Sequence, residues 1–300
     1  MMKSKYIMLL WVCLCFSSSQ HLLANESDLV LKNQQGELFE LSNIVGKKPV
    51  YLKFWATWCK PCIEQMPHFQ HAYKQYGDTI DTIAINIDLN DDPRAVAAVK
   101  KQFNLTMPIM SDHTAKVAQH YQFIGTPFHV LLDKTGKVIF QGHEADKALD
   151  NTLRLLSHDG VVAKAHLLDE GNKQAATALV IPEYGLKAVL YTATWCDWYL
   201  ADTRPKMATN CAAAQKQINI LTNQGIDIEA RVSQLWTDQA AVDEYIEKFK
   251  VIHPVYIDHG NDLFIDNEIN KVPALLIYKD GKITNRITDF SSPVNLQNTP

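Results

Sequence analysis

The chain repeats itself. FWATWCKPC spans residues 54–62, and YTATWCDWY spans 191–199. Downstream of each, the same series returns. IDTIAINID at 80–88 matches IDIEARVSQ at 226–234, and MPIMSD at 107–112 matches HPVYID at 253–258. GTPFHVLLDKTGKVI at 125–139 matches KVPALLIYKDGKI at 271–283. Pro108 and Pro127 stand 19 residues apart, as do Pro254 and Pro273, and an aspartate follows the first proline of each pair by four residues, Asp112 and Asp258. Agreement over such a span means that one architecture is built twice. The spacing departs once: Cys59 to Pro108 is 49 residues, whereas Cys196 to Pro254 is 58. Nine extra residues therefore lie between the second TWC and the central strand that follows it, with Cys211 in or near them.

Each copy reads as strand, helix, strand, helix and a closing hairpin. PVYLKF, TIAINI, FHVLL and KVIF are short apolar, β-branched runs in the first copy; KAVLY, IEARV, ALLIY and KIT are their counterparts. Helical composition covers Gln65–Tyr76 and Pro93–Phe103, then Ala212–Leu221 and Asp238–Phe249. Strands that alternate with helices predict a parallel pair, and the turns DKTG and KDG predict an antiparallel hairpin beside it. The fold class is therefore α/β, a central mixed sheet flanked by helices, twice. A length of 300 residues suits two such units, and SHDG at 157–160 marks the boundary.

The first 24 residues have a basic start, Lys3 and Lys5, an apolar run from Tyr6 to Phe16, and then small and polar residues. That is the layout of a secretory signal, and the run is short for a membrane span; an uncleaved anchor is the alternative. Without that segment, 27 lysines and arginines face 33 acids. A mildly acidic chain argues against nucleic acid as a partner. Four cysteines remain: Cys59, Cys62, Cys196 and Cys211. They are too few for a disulfide-stapled scaffold in an oxidising compartment, so placed thiols point to chemistry.

FWATWCKPC, Pro67, the GTP at 125–127 and LLDKTGKVI together resemble the TlpA/ResA-like branch of the thioredoxin-fold thiol–disulfide oxidoreductases, over about residues 27–156. With the repeat and the leader, the resemblance leads to an expected signal peptide at 1–24 and two tandem thioredoxin-like domains, at 25–158 and 161–292. It also implies a cis Thr126–Pro127 bond. Thr126 would then offer its backbone to an extended substrate segment, and Trp58 would form surface around the thiols. It implies a reductant of disulfide-bonded proteins, outside the cytoplasm, fed by a membrane electron donor.

The chemistry follows from placement. A strand delivers Cys59 to a helix start, where backbone N–H groups favour the thiolate. Cys59 is thus the expected nucleophile. Cys62, one turn on, is the expected resolving thiol for the mixed disulfide that Cys59 forms. The bland alternatives are an inert disulfide or half a zinc site. Zinc needs two more ligands, no second C-x-x-C exists, and His68 and His71 read as solvated helix residues, so no metal is expected. No organic cofactor is expected either, since no phosphate-cradling glycine loop joins a strand to a helix. A dithiol oxidase or isomerase, or a non-enzymatic assembly factor such as a metallochaperone, are the rival functions.

Two positions depart from the family. Gln65 stands where a glutamate is frequent, three residues after Cys62, and Lys53 stands where many thioredoxins have a buried acid. Lys53 either approaches the thiols and lowers their pKa or extends to solvent. In the second copy Tyr199 replaces the resolving cysteine, while Cys196 is expected at a helix start like Cys59. Cys196 pairs with Cys211, or is a lone reactive thiol, or both are buried and inert. Pairing requires the chain to turn back, because 15 residues of unbroken helix span about 22 Å. Pro205, after Asp202 and Thr203, is a suitable break and fresh helix start.

Overall fold

The computed structural model describes residues 29–160, 162, 164–168 and 177–296. The leader at 1–24 lies outside the described residues, and no helix among them is long and apolar enough to cross a membrane.

The first unit runs β1 (Val30–Asn33), β2 (Leu38–Glu40), β3 (Val50–Trp55), α1 (Lys60–Glu64), α2 (Met66–Tyr76), β4 (Asp81–Asn86), α3 (Pro93–Gln102), β5 (Ile109–Ser111), α4 (Lys116–His120), β6 (Phe128–Leu132), β7 (Val138–Gly142) and α5 (Lys147–Leu156). The second runs β8 (Leu186–Thr192), α6 (Pro205–Asn223), β9 (Asp227–Ser233), α7 (Gln239–Phe249), β10 (Val255–Asp258), α8 (Asp262–Asp266), β11 (Ala274–Lys279) and β12 (Lys282–Ile287). The sheets are ordered β2-β1-β5-β4-β3-β6-β7 and β10-β9-β8-β11-β12. In both, the central strand pairs in parallel with the one after its helix and antiparallel with the first strand of the hairpin. The sheet that sequence spacing predicts is therefore present twice. The β1–β2 hairpin on the outer edge of the first sheet had no counterpart in the strand reading, because two strands of four and three residues carry little periodic signal.

Burial explains the strand composition. β3, β6 and the last five residues of β4 are buried along their length, as central strands covered on both faces must be. The repeated aspartates are structural. Asp112 accepts the N–H of Ala118 (2.7 Å), and Asp258 accepts that of Phe264 (2.9 Å), each at the start of a short helix. Burial pushes both carboxyls up to about 6.

The first helix is split. α1 ends at Glu64, and α2 restarts with Pro67 in its first turn, so Gln65 is a junction residue. In the second unit the segment after Thr192 differs more. Residues 194–203 form successive turns, and the helix begins only at Pro205. Cys196 thus sits in a turn and not at a helix start, correcting the expectation drawn from its match to Cys59. The extra residues between Cys196 and β9 provide that turn, and Pro205 sets the new helix start.

Candidate active site

Cys59 is the N-cap of α1, and its Sγ accepts the N–H of Cys62 at 3.1 Å. The two cysteines form a disulfide with Cα atoms 5.2 Å apart. β3 ends at Trp55, so a three-residue turn carries the chain from the central strand to the thiols. Pro61 occupies a first-turn position, where its missing N–H costs no helical bond. A thiolate released at Cys59 would face the N–H groups of that first turn.

The Thr126–Pro127 peptide is cis, and so is Val272–Pro273 in the second unit. His143 donates from Nδ1 to the Pro127 carbonyl (2.7 Å). The His143 carbonyl accepts from Gln65 Nε2 (3.1 Å), which ties the junction after α1 to the loop that carries Pro127.

Behind α1 runs a buried polar chain. Tyr51 donates its hydroxyl to His129 Nδ1 (2.7 Å), and His129 Nε2 donates to Gln65 Oε1 (2.9 Å). Lys53 Nζ donates to the same Gln65 oxygen (3.0 Å) and lies over the Phe69 ring. Of the two sequence readings of Lys53, the side chain that extends to solvent is ruled out: Lys53 is 0% exposed. Burial pulls its pKa down to about 7, partly offset by Glu144, and burial likewise holds His129 well below the usual histidine range. A neutral His129 agrees with one ring nitrogen accepting and the other donating.

Trp58 departs from its expected place on the surface around the thiols. It is 1% exposed, donates from Nε1 to the Leu89 carbonyl (2.7 Å) and stacks on Trp195 of the second unit at 5.0 Å. The cause is the second unit's turn and loop, which bring Trp195, Tyr199 and Trp236 onto it and which sequence local to Trp58 cannot reveal. Thr126 is equally covered, at 1%. Thr57 receives Arg204 Nη2 on its hydroxyl (2.6 Å) and donates to Asp91, and the N–H of Lys60 donates to Tyr199 Oη (3.3 Å). Trp236 packs edge-on against Trp58 at 6.1 Å; it and Arg204 belong to this candidate site, and sequence reading missed both. The one available signal for Trp236 was its alignment with Asn90 across the repeat.

The second pair is joined as well: Cys196 and Cys211 form a disulfide with Cα atoms 6.1 Å apart. It is nearly buried, at 1% and 4% exposure. His68 pairs with Asp150 (2.8 Å) on the helix surface, and among the described residues no group of three or more metal-ligating side chains comes together.

Residues 23–156 match the Redoxin family. The thiol-disulfide oxidoreductase ResA of Bacillus thuringiensis subsp. konkukian is 33% identical over 133 residues, covering 43% of this chain and 75% of that protein. The chain belongs to the ResA-like thiol–disulfide oxidoreductases. The thioredoxin-like protein YneN of Bacillus subtilis is 34% identical over 131 residues, 43% of this chain and 76% of the relative. The crystal structure of StoA from Bacillus subtilis is 25% identical, with a TM-score of 0.36, covering 42% of this chain and 92% of that one. The Redoxin match ends before the second sheet begins, so this ResA-like chain is an oxidoreductase whose second unit is known by its topology alone.

Proposed function

We propose that this ResA-like oxidoreductase reduces disulfides of proteins outside the cytoplasm, with Cys59 as nucleophile and Cys62 as resolving thiol. The placement of Cys59 carries the reading: it caps α1, accepts the Cys62 N–H and shares a disulfide with Cys62. The Cys59 thiolate attacks one sulfur of the substrate disulfide, that S–S bond breaks, and one substrate thiolate leaves and takes a proton. The Cys62 thiolate then attacks Cys59 Sγ, and the second substrate thiol is released. Two electrons and two protons have passed to the substrate, and the chain is left with Cys59–Cys62 oxidised. A membrane dithiol donor restores it.

Thr126, Pro127 and Trp58 are the substrate-side residues in this reading, within a unit spanning 25–158. The unit at 161–292 is a diverged partner whose Cys196–Cys211 bridge lacks an adjacent resolving thiol. The basic, apolar leader at 1–24 supports export.

The deciding experiment is the reduction potential of Cys59–Cys62 with Cys196 and Cys211 replaced by serine, together with insulin reduction by the pre-reduced protein. A potential near about −270 mV supports the reductant. One near about −120 mV would reverse the direction of electron flow and make the chain a dithiol oxidase.

A further inference from the structure

The two units meet through the same surface on each side. Cys59 aligns with Cys196, and beyond the nine extra residues Asn90 aligns with Trp236 and Pro127 with Pro273. Trp58 donates its indole N–H to the Leu89 carbonyl (2.7 Å), and Trp195 donates to the aligned Leu235 carbonyl (2.6 Å). The contacts between units obey the same rule. The Asn90 N–H donates to the Asn270 carbonyl (2.9 Å), and the Trp236 N–H donates to the aligned Ile124 carbonyl (3.1 Å). Asn90 and Trp236 both have left-handed backbones, at φ 59° and 52°. Each unit thus lays the loop after its central parallel strand pair along the three residues that precede the other unit's cis-proline.

On the side of Cys59 the fit is close. Gln234 Nε2 donates to the Phe123 carbonyl (3.2 Å), beside the bond from Trp236 to Ile124. The Trp236 indole lies directly on Gly125, where a Cβ would overlap its Nε1 and Cδ1 atoms. From there the ring reaches Trp58, edge-on at 6.1 Å, and Tyr199 at 5.1 Å. One main-chain bond, from Trp236 to Ile124, and one side-chain bond, from Gln234 to Phe123, hold the loop on backbone carbonyls beside the cis-proline, with an indole seated on a glycine. Cys59 and Cys62, beside this cluster, are both 0% exposed.

We propose that Trp236 is the resident occupant of the Phe123–Thr126 groove, its indole over Gly125 holding the place that an aromatic side chain of an incoming polypeptide would take. A protein disulfide reaches Cys59 only by displacing the Gln234–Thr237 loop. This rests on Cys59–Cys62 being the substrate-reactive pair. The seal is imperfect: Thr126 Oγ1 and Asn90 Nδ2 are buried at the junction without a hydrogen-bond partner. Buried polar groups left without a partner are costly and favour a closure that can be reversed.

The test reads alkylation of Cys59 by iodoacetamide in the reduced full chain, located by peptide mass spectrometry. Cys59 is expected to react at least tenfold faster in Trp236→Ala than in the unaltered protein. Gly125→Ala removes the seat from the other side, so it guards against a Trp236→Ala protein that fails to fold and should show the same acceleration. In Trp236→Ala, millimolar acetyl-Gln-Leu-Trp-Thr-amide should slow the reaction again, and acetyl-Gln-Leu-Ala-Thr-amide should not. Equal rates in the unaltered protein and both variants would overturn the occupied groove. Equal protection by the two peptides would overturn the aromatic preference. If the variants expose Cys59 yet still fail to reduce insulin, the groove stands and the reductase reading falls.

Discussion

Trp58 and Trp195 stack at 5.0 Å with their planes 27° apart, and each directly precedes the first cysteine of its motif. The two TWC turns therefore face one another across a shared aromatic cluster.

Cys59→Ala should lower disulfide reduction by at least a hundredfold, since among the described residues no other thiol occupies a helix start. Cys62→Ala should leave the first attack intact and block release. It should accumulate mixed disulfides between Cys59 and the substrate, visible on non-reducing gels. Full multiple-turnover reduction by Cys62→Ala would show that the resolving role is misassigned.

The Cys196–Cys211 bridge closes a loop of 15 residues. Loop-closure entropy assigns such a bridge roughly 3 kcal/mol. The Cys196→Ser, Cys211→Ser double variant should lose about that much by urea denaturation under oxidising conditions. A thiol titration of unreduced, unfolded protein starting at residue 25 should find no free thiol. Two free thiols would mean that one of the bridges is open in solution.

Lys53 makes stability depend on pH. Its folded pKa, about 7, lies below the usual lysine value because of burial. Between pH 7 and roughly 10.4 the unfolded chain binds the extra proton, so stability should rise with pH across that window. The slope is at most about 1.4 kcal/mol per pH unit. Lys53→Met should flatten it and stabilise the protein near pH 6. A Lys53→Met protein that melts with an unchanged pH slope would place the titration elsewhere.

Gln65→Glu should act on the same group from the opposite direction. A carboxylate in place of the amide would face Lys53 Nζ, now 3.0 Å from Gln65 Oε1, and favour the charged lysine. The rise in stability above pH 7 should shift upward by a pH unit or more, read from thermal midpoints in a pH series. No change would mean that Lys53 turns away from residue 65 in solution.

The sheet order was legible because it depends on patterns local to each strand and on a repeat that holds its register from Pro108 to Pro127 and again from Pro254 to Pro273. The fresh helix start at Pro205 was legible for the same reason, since proline acts on its own backbone. Lys53 was not, because its fate depends on Gln65 and His129, which approach it from a helix junction and a neighbouring strand. Trp58 is expected on the surface around the thiols and Thr126 to offer its backbone to substrate because nothing near them in sequence announces Trp236. A contact between residues more than a hundred positions apart leaves no periodicity, and Arg204 on Thr57 is hidden in the same way.

The loop on Ile124 and the loop on Asn270 belong to one polypeptide, and that sets the terms on which anything else can compete. Two separate subunits with this interface would come apart on dilution. Here the opening is unimolecular and indifferent to protein concentration, and the tethered loop competes at an effective concentration of the order of millimolar. A weak, passing contact with folded or unfolded chains would rarely win against that. The covalent link thus filters encounters by affinity, admitting to Cys59 the partners that bind the groove more tightly than the chain binds itself.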